Sequence, residues 1–178
     1  MATWRTAPVA LGMREAMQHA EQHLEEALHQ FIIFRLDRTE FAVPIEQVTR
    51  ILRPVKCTRV PRAPAFLEGI INLHGDIVPV IDLAKRLQMA AIPRDDEARI
   101  IVAEVDNQRV GMVVDSVTEI LSLPQAAIEP PPGIIAEISD VYLTGVAVHD
   151  DRLFVILDLD RVLTTEEMAE LHELQTAT

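Results

Sequence analysis

The sequence predicts a mainly β protein made from an internally duplicated β domain, with about five short strands in each copy. Three observations carry that prediction. The stretch from Gly69 to Leu87, GIINLHGDIVPVIDLAKRL, recurs without a gap from Gly145 to Leu163 as GVAVHDDRLFVILDLDRVL. The residues ahead of it recur too: Phe31 to Leu52, FIIFRLDRTEFAVPIEQVTRIL, aligns ungapped with Ile100 to Leu121, IIVAEVDNQRVGMVVDSVTEIL. Aromatic residues make up only 4% of a chain rich in Val, Ile and Leu, so the core is aliphatic and β-branched, which suits a pleated, half-buried surface.

Each element follows from the repeat. The leading block reads strand, polar turn (Asp37-Arg38-Thr39 or Asp106-Asn107-Gln108), strand, then Val-Thr-x-Ile-Leu. The hairpin block opens on Gly, gives an apolar strand, reverses at His74-Gly75-Asp76 or Asp150-Asp151-Arg152, returns as an apolar strand, and enters an Asp-Leu pair leading a short helical tail. The offset between copies is larger for the hairpin blocks than for the leading blocks. The second copy therefore carries a longer middle loop, where Pro130-Pro131-Pro132 falls. Such a period is too long for a solenoid. Two packed copies of roughly 60 residues supply a core that one alone would barely provide.

Around the repeat, residues 1–30 read as a helical extension and 31–175 as the duplicated domain, with subdomains at about 31–90 and 98–163 and the chain ends allowed to cross between them. Met13, Met17, Ala20, Leu24, Ala27 and Leu28 place one apolar stripe on a helix from Leu11 to about Gln30. That helix either docks on the barrels or offers its stripe to a partner, and docking is the expectation. Pro54, Pro61 and Pro64 keep the following loop out of a central strand, and Ala63 to Glu68 reads as a helical turn delivering Phe66 and Leu67 inward. Pro79 marks an edge or bulge position within its strand. At the other end, Thr164 with Glu167 three residues later forms a capping box for a short C-terminal helix bearing Met168, Leu171 and Leu174.

A net charge of −12 repels phosphate backbones and anionic lipid over the whole molecule, which argues against nucleic-acid or membrane-surface roles. The exception is local: Arg50, Arg53, Lys56, Arg59 and Arg62 form a loosely spaced basic run. Its default reading is a solvated loop, and a partner-contact face is the alternative. The single cysteine, Cys57, forbids an intramolecular disulfide and fits a reducing, cytoplasmic setting. No signal-peptide pattern and no membrane-length apolar run is present.

No residue set advertises chemistry. Asp82 and Asp158 occupy equivalent places directly before short helical segments, where a carboxylate caps free amides rather than acting as an acid or base. His19 and His23 sit one helical turn apart, but the metalloprotease pattern needs Glu directly after the first His and the chain has Ala20 there. Cys57 lacks an identifiable base and reads as a small buried hydrophobe or a loop thiol. The glycines form no phosphate-binding trio. The expectation is no catalytic residues, no metal and no cofactor.

Specific ordered motifs point further. EFAVPIEQVTRIL, FLEGIINLHGDIVPVIDL, RVGMVVDSVTEILSLP, EPPP and VYLTGVAVHDDRLFVILDLDRVL together resemble the CheW family, adaptors of bacterial chemosensory arrays, over about residues 31–170. The resemblance implies two intertwined SH3-like five-stranded β-barrel subdomains, no enzyme activity, and a bridge between chemoreceptors and a CheA-type histidine kinase. It further implies a cytoplasmic protein recruited to membrane-associated receptor arrays, with no nucleic-acid partner and no direct membrane insertion. Receptor tips of that family lie in an apolar groove between the subdomains, a helix-in-groove mode.

By motif position Val48, Arg50, Gly69 and His74 match receptor-contact places, and the loop holding Val55, Cys57 and Thr58 is the kinase-side choice. Two departures stand out. His74 replaces the family's usual Arg before the hairpin Gly, and Arg50 stands where Glu is frequent, so an electrostatic brace is lost or reversed. A hydrolase or transferase using His74 with Asp76 or Asp82 would instead show convergent polar groups in a pocket. A nucleic-acid-binding barrel would show stacked surface aromatics and positive charge.

Overall fold

The computed structural model describes residues 12–18, 28–90, 92–133 and 142–176. Its strands are β1 (Leu28–Leu36), β2 (Thr39–Pro44), β3 (Val48–Leu52), β4 (Leu67–Leu73), β5 (Asp76–Asp82), β6 (Arg99–Val105), β7 (Gln108–Val114), β8 (Ser116–Pro124), β9 (Ile128–Glu129), β10 (Leu143–His149) and β11 (Arg152–Leu157). Helix α1 covers residues 12–18, α2 Leu83–Arg86 and α3 Thr165–Thr176. The strands form a six-stranded sheet, β8-β1-β2-β11-β10-β9, and a five-stranded sheet, β3-β6-β7-β5-β4. The predicted polar turns are real: Asp37, His74, Asp106, Asn107, Asp150 and Asp151 all have positive φ, where short polar side chains tolerate the left-handed region.

Under the repeat alignment β1, β2, β3, β4 and β5 correspond to β6, β7, β8, β10 and β11. Each sheet is therefore composite. The β1-β2 hairpin pairs with β8 and β11 of the second copy, and the β6-β7 hairpin pairs with β3 and β5 of the first. The two SH3-like barrel subdomains are thus not the contiguous stretches 31–90 and 98–163. They exchange their leading hairpins, and the first barrel's sheet gains a sixth strand, the two-residue β9.

The exchange explains why FIIF and IIVA run apolar without alternation: strands buried on both faces need apolar side chains at every position. One face of β1, Ile32, Phe34 and Leu36, meets Ile101, Ala103 and Val105 of β6 in a cluster shared by both barrels. Their other faces fill the separate barrels, with Phe31 and Ile33 against Phe154 and Ile156 in one, and Ile100 and Val102 against Val78 and Val80 in the other. The shared cluster also takes Leu87, Leu163, Met168 and Leu171, so both helical tails seal the same junction.

Several expectations are corrected. Pro79 lies in β5, a central strand between β7 and β4. It is tolerated because Ile70, opposite it, exchanges both backbone bonds with Thr58 instead, so Ile70 and Pro79 form a non-hydrogen-bonded pair. Pro79's missing N–H then faces β7, where pairing begins only at Val80. The N-terminal helix does not reach Gln30: Leu28 already starts β1. Within α1 every residue is exposed, Met13 and Met17 at 63% each, so this portion does not dock. Residues 19–27, with His19, His23 and the stripe's Ala20, Leu24 and Ala27, lie outside the described residues. Ala65 and Phe66 form a single turn closed by Leu67 N on Pro64 O, not a helix, yet Phe66 and Leu67 do pack inward as expected. Thr164 Oγ1 accepts from Glu167 N at 3.1 Å, but Glu167's carboxylate turns to Arg86 Nε, also at 3.1 Å, joining α3 to α2 in place of closing the box.

Candidate functional site: the β3–β4 face and its strap

Asp82 and Asp158 behave as caps. Asp82 Oδ1 accepts from Lys85 N at 3.2 Å and Asp158 Oδ1 from Asp160 N at 3.0 Å. Each also carries a longer-range tie that local reading missed. Asp82 Oδ2 receives Arg94 at 2.7 Å, and the same guanidinium holds Glu68 at 2.7 Å, pinning the linker between repeats to the second barrel. Asp158 receives Gln47 Nε2 at 2.9 Å while Gln47 Oε1 accepts from Leu159 N at 2.9 Å, so one amide ties the turn after β2 to the turn after β11.

The sequence-predicted contact residues surround β3, β4 and the strap joining them. Thr58 exchanges backbone bonds with Ile70 at 2.8 and 2.9 Å, so the segment after β3 crosses to the free edge of β4 and closes the barrel. Gly69 is buried beneath it: a Cβ there would stand 2.3 Å from Thr58 O, with φ at +152°. Its counterpart Gly145 lies under Glu129 O, 2.6 Å from a built Cβ. Gly69 therefore permits the close passage of the strap's backbone.

Val48 is half-buried and packs on the shared cluster, whereas Arg50 is exposed on β3 without an ion pair. His74 is exposed in the β4–β5 turn, five residues along β4 from Gly69 and so about 17 Å away. Val55 is 51% exposed on the strap. Cys57 is half-buried, its Sγ donating weakly to Val55 O at 3.7 Å, and burial followed by the Glu68 charge pushes its pKa up. Thr58 is exposed. Cys57 and Thr58 lie directly over Gly69.

At the junction between the barrels the apolar side chains pack against one another in the shared cluster, with partly buried residues such as Val48, Ile45 and Val117 at its fringe. Groups do not converge for chemistry. His74 and Asp82 stand at opposite ends of β5, about 20 Å apart along the strand, while Asp76 is engaged by Arg109 at 3.0 Å. Phe31, Phe34, Phe41 and Phe154 are all buried, which leaves no aromatic platform on the strands that carry them. Among the described residues no cluster of His, Cys, Asp and Glu is arranged to hold a metal ion, and no helix is long and apolar enough to cross a membrane.

Three arginines make five ion pairs that no local pattern announces: Arg94 with Glu68 and Asp82, Arg109 with Asp76, and Arg152 with Glu40 and Glu119. A signal did exist for two of them, because the repeat alignment sets Glu40 against Arg109 and Asp76 against Arg152 with both signs reversed.

Comparison with known proteins matches this geometry. A family model described as CheW-like domain matches residues 30–167. The chain is 35% identical over 151 residues to "Chemotaxis protein CheW" of Rhizobium meliloti, covering 85% of this chain and 97% of that one. It is 34% identical over 140 residues to the protein of the same name from Klebsiella aerogenes, covering 79% and 84%. Among solved structures, the scaffolding protein TtCheW from Thermoanaerobacter tengcongensis aligns with TM-score 0.73 and 33% identity over 79% of this chain and 95% of that one. Two hairpin-exchanged barrels around one apolar junction, with a sequence match across nearly all of both, place this chain in the CheW-like family of chemotaxis adaptors.

Proposed function

We propose that this chain is a non-enzymatic adaptor that couples chemoreceptors to a CheA-type histidine kinase in a bacterial chemosensory array, acting in the cytoplasm at membrane-associated receptors. The observation that carries the reading is the hairpin exchange. With β1-β2 built into one barrel and β6-β7 into the other, neither barrel can part from its mate without breaking strand ladders. A bridging protein needs such rigidity, because a load applied at one contact must reach the other without being absorbed at a hinge. Val48, Arg50 and His74 serve the receptor side, and Val55, Cys57 and Thr58 the kinase side, with Gly69 positioning the strap between them.

The test is co-purification of the full chain with a CheA-type kinase and a receptor cytoplasmic fragment, repeated with Arg50→Glu, His74→Ala, Val55→Glu and Thr58→Glu. Loss of receptor capture from the first two, and of kinase capture from the last two, is the expected result. Capture of neither partner by the wild-type chain would refute the reading.

A further inference from the structure

The net charge of −12 is unevenly spread: residues 47–67 hold Arg50, Arg53, Lys56, Arg59 and Arg62 with no Asp or Glu, a local +5 that leaves −17 for the rest. All five are exposed. Among the described residues none of the five forms an ion pair or side-chain hydrogen bond, whereas Arg86, Arg94, Arg109, Arg152 and Arg161 each have a carboxylate within 4.0 Å. Successive members are three residues apart, so their backbones are within about 11 Å of the next, close to the Debye length at physiological salt.

The adjoining carboxylate cannot compensate them, because Glu68 is engaged by Arg94, which also lowers its pKa by hydrogen bonding. Beside the cations an open cleft of about 280 Å³ runs between Val55, Lys56 and Arg59 and reaches down to Ile100 and Val113. Ile51 and Val55 add exposed aliphatic surface at 39% and 51%.

We infer that the strap from Arg53 to Arg62 is a docking surface for a carboxylate-rich protein segment carrying an aliphatic anchor. Four uncompensated cations along the strap, two of which (Lys56 and Arg59) line a cleft floored by Ile100 and Val113, match that chemistry. The aliphatic part distinguishes it from a site for bare phosphate, and the −17 carried by the rest of the chain repels an extended polyanion such as a membrane or nucleic acid while tolerating a short acidic segment. The inference rests on the proposed function for the premise that the strap faces a protein partner, and adds what that partner must carry.

The probe is a fluorescent peptide of alternating Glu and Leu, titrated with the full-length chain and followed by anisotropy at about 50 and about 500 mM NaCl. Wild type should bind at low salt and lose about tenfold or more at high salt. The variant Arg53→Gln/Lys56→Gln/Arg59→Gln/Arg62→Gln should lose binding at both while keeping its circular dichroism; if it misfolds, the single reversal Arg59→Glu reads the same effect. Equal peptide binding by wild type and variant, or no binding by either, overturns the inference. So does capture of wild type by phosphatidylserine vesicles or single-stranded RNA more tightly than by the peptide. A kinase pull-down in parallel separates the two ideas: peptide binding with no kinase capture refutes the adaptor reading and leaves the acid-docking surface standing.

Discussion

Arg152 Nη2 lies 2.6 Å from Glu40 Oε1, and in the other barrel the equivalent pair is Asp76 with Arg109 at 3.0 Å, the same contact with both charges exchanged. The first pair is the more elaborate. Arg152 also reaches Glu119 at 2.5 Å and sits 4.9 Å from the centre of the Phe154 ring, so one guanidinium ties β11 to β2 and β8 at the barrel's mouth. Glu40 and then Glu119 push its pKa up by hydrogen bonding. In the second barrel the place of Glu119 is taken by Arg50, which stands unpaired. Arg152→Ala should therefore lower the thermal midpoint more than Arg109→Ala does, since it leaves two carboxylates facing each other. The Asp76–Arg109 pair is exposed, and a double-mutant cycle should return only about 0.2–1 kcal/mol.

Gly69 and Gly145 are sites of close backbone passage. Alanine at Gly145 should cost about 1–3 kcal/mol in urea unfolding, and alanine at Gly69 more, because its clash is closer and its φ is unfavourable for any side chain. If Gly69→Ala left stability unchanged, the close passage of Thr58 would be refuted. A charged residue at Gly69 would abolish binding by unfolding the strap, so it cannot serve as a probe of receptor contact.

Acid should loosen both barrels. Hydrogen bonds from Arg152 and Arg94 hold Glu40 and Glu68 below the ordinary 4.5. With folded pKa values below unfolded ones, each carboxylate contributes stability that is fully present above pH 4.5 and is lost as pH falls through its lowered value. Urea midpoints measured from pH 6 down to about pH 3 should drop, and Arg94→Gln should flatten part of that drop. An unchanged profile in that variant would remove Glu68 from the account.

Cys57 should react slowly. Burial and the neighbouring Glu68 raise its pKa, so less thiolate is present at a given pH than in a free cysteine. Alkylation by iodoacetamide at pH 8 should be slower than for glutathione, and Glu68→Gln should speed it. A rate equal to that of the free thiol would contradict the strap's packing.

Arg50 and His74 should set partner choice. Restoring the family's common residues with Arg50→Glu and His74→Arg should widen capture toward receptors that serve adaptors of the usual pattern. Equal capture of both receptor types by the wild-type chain would remove the idea that these two positions tune specificity.

Read without coordinates, the chain disclosed what is local. The duplication, the polar turns at His74 and Asp150, the caps at Asp82, Asp158 and Thr164, and the apolar runs of β1 and β6 all follow from side-chain preferences acting over a few residues. Tertiary structure alone decided which hairpin joins which barrel, because two copies of one apolar pattern satisfy the same ladders whether paired within a repeat or across repeats. It alone placed Pro79 in a central strand, drew Arg94 onto Glu68 and Asp82, and brought both helical tails onto one shared cluster. Those outcomes depend on distances between residues far apart in the chain, and no local periodicity encodes them.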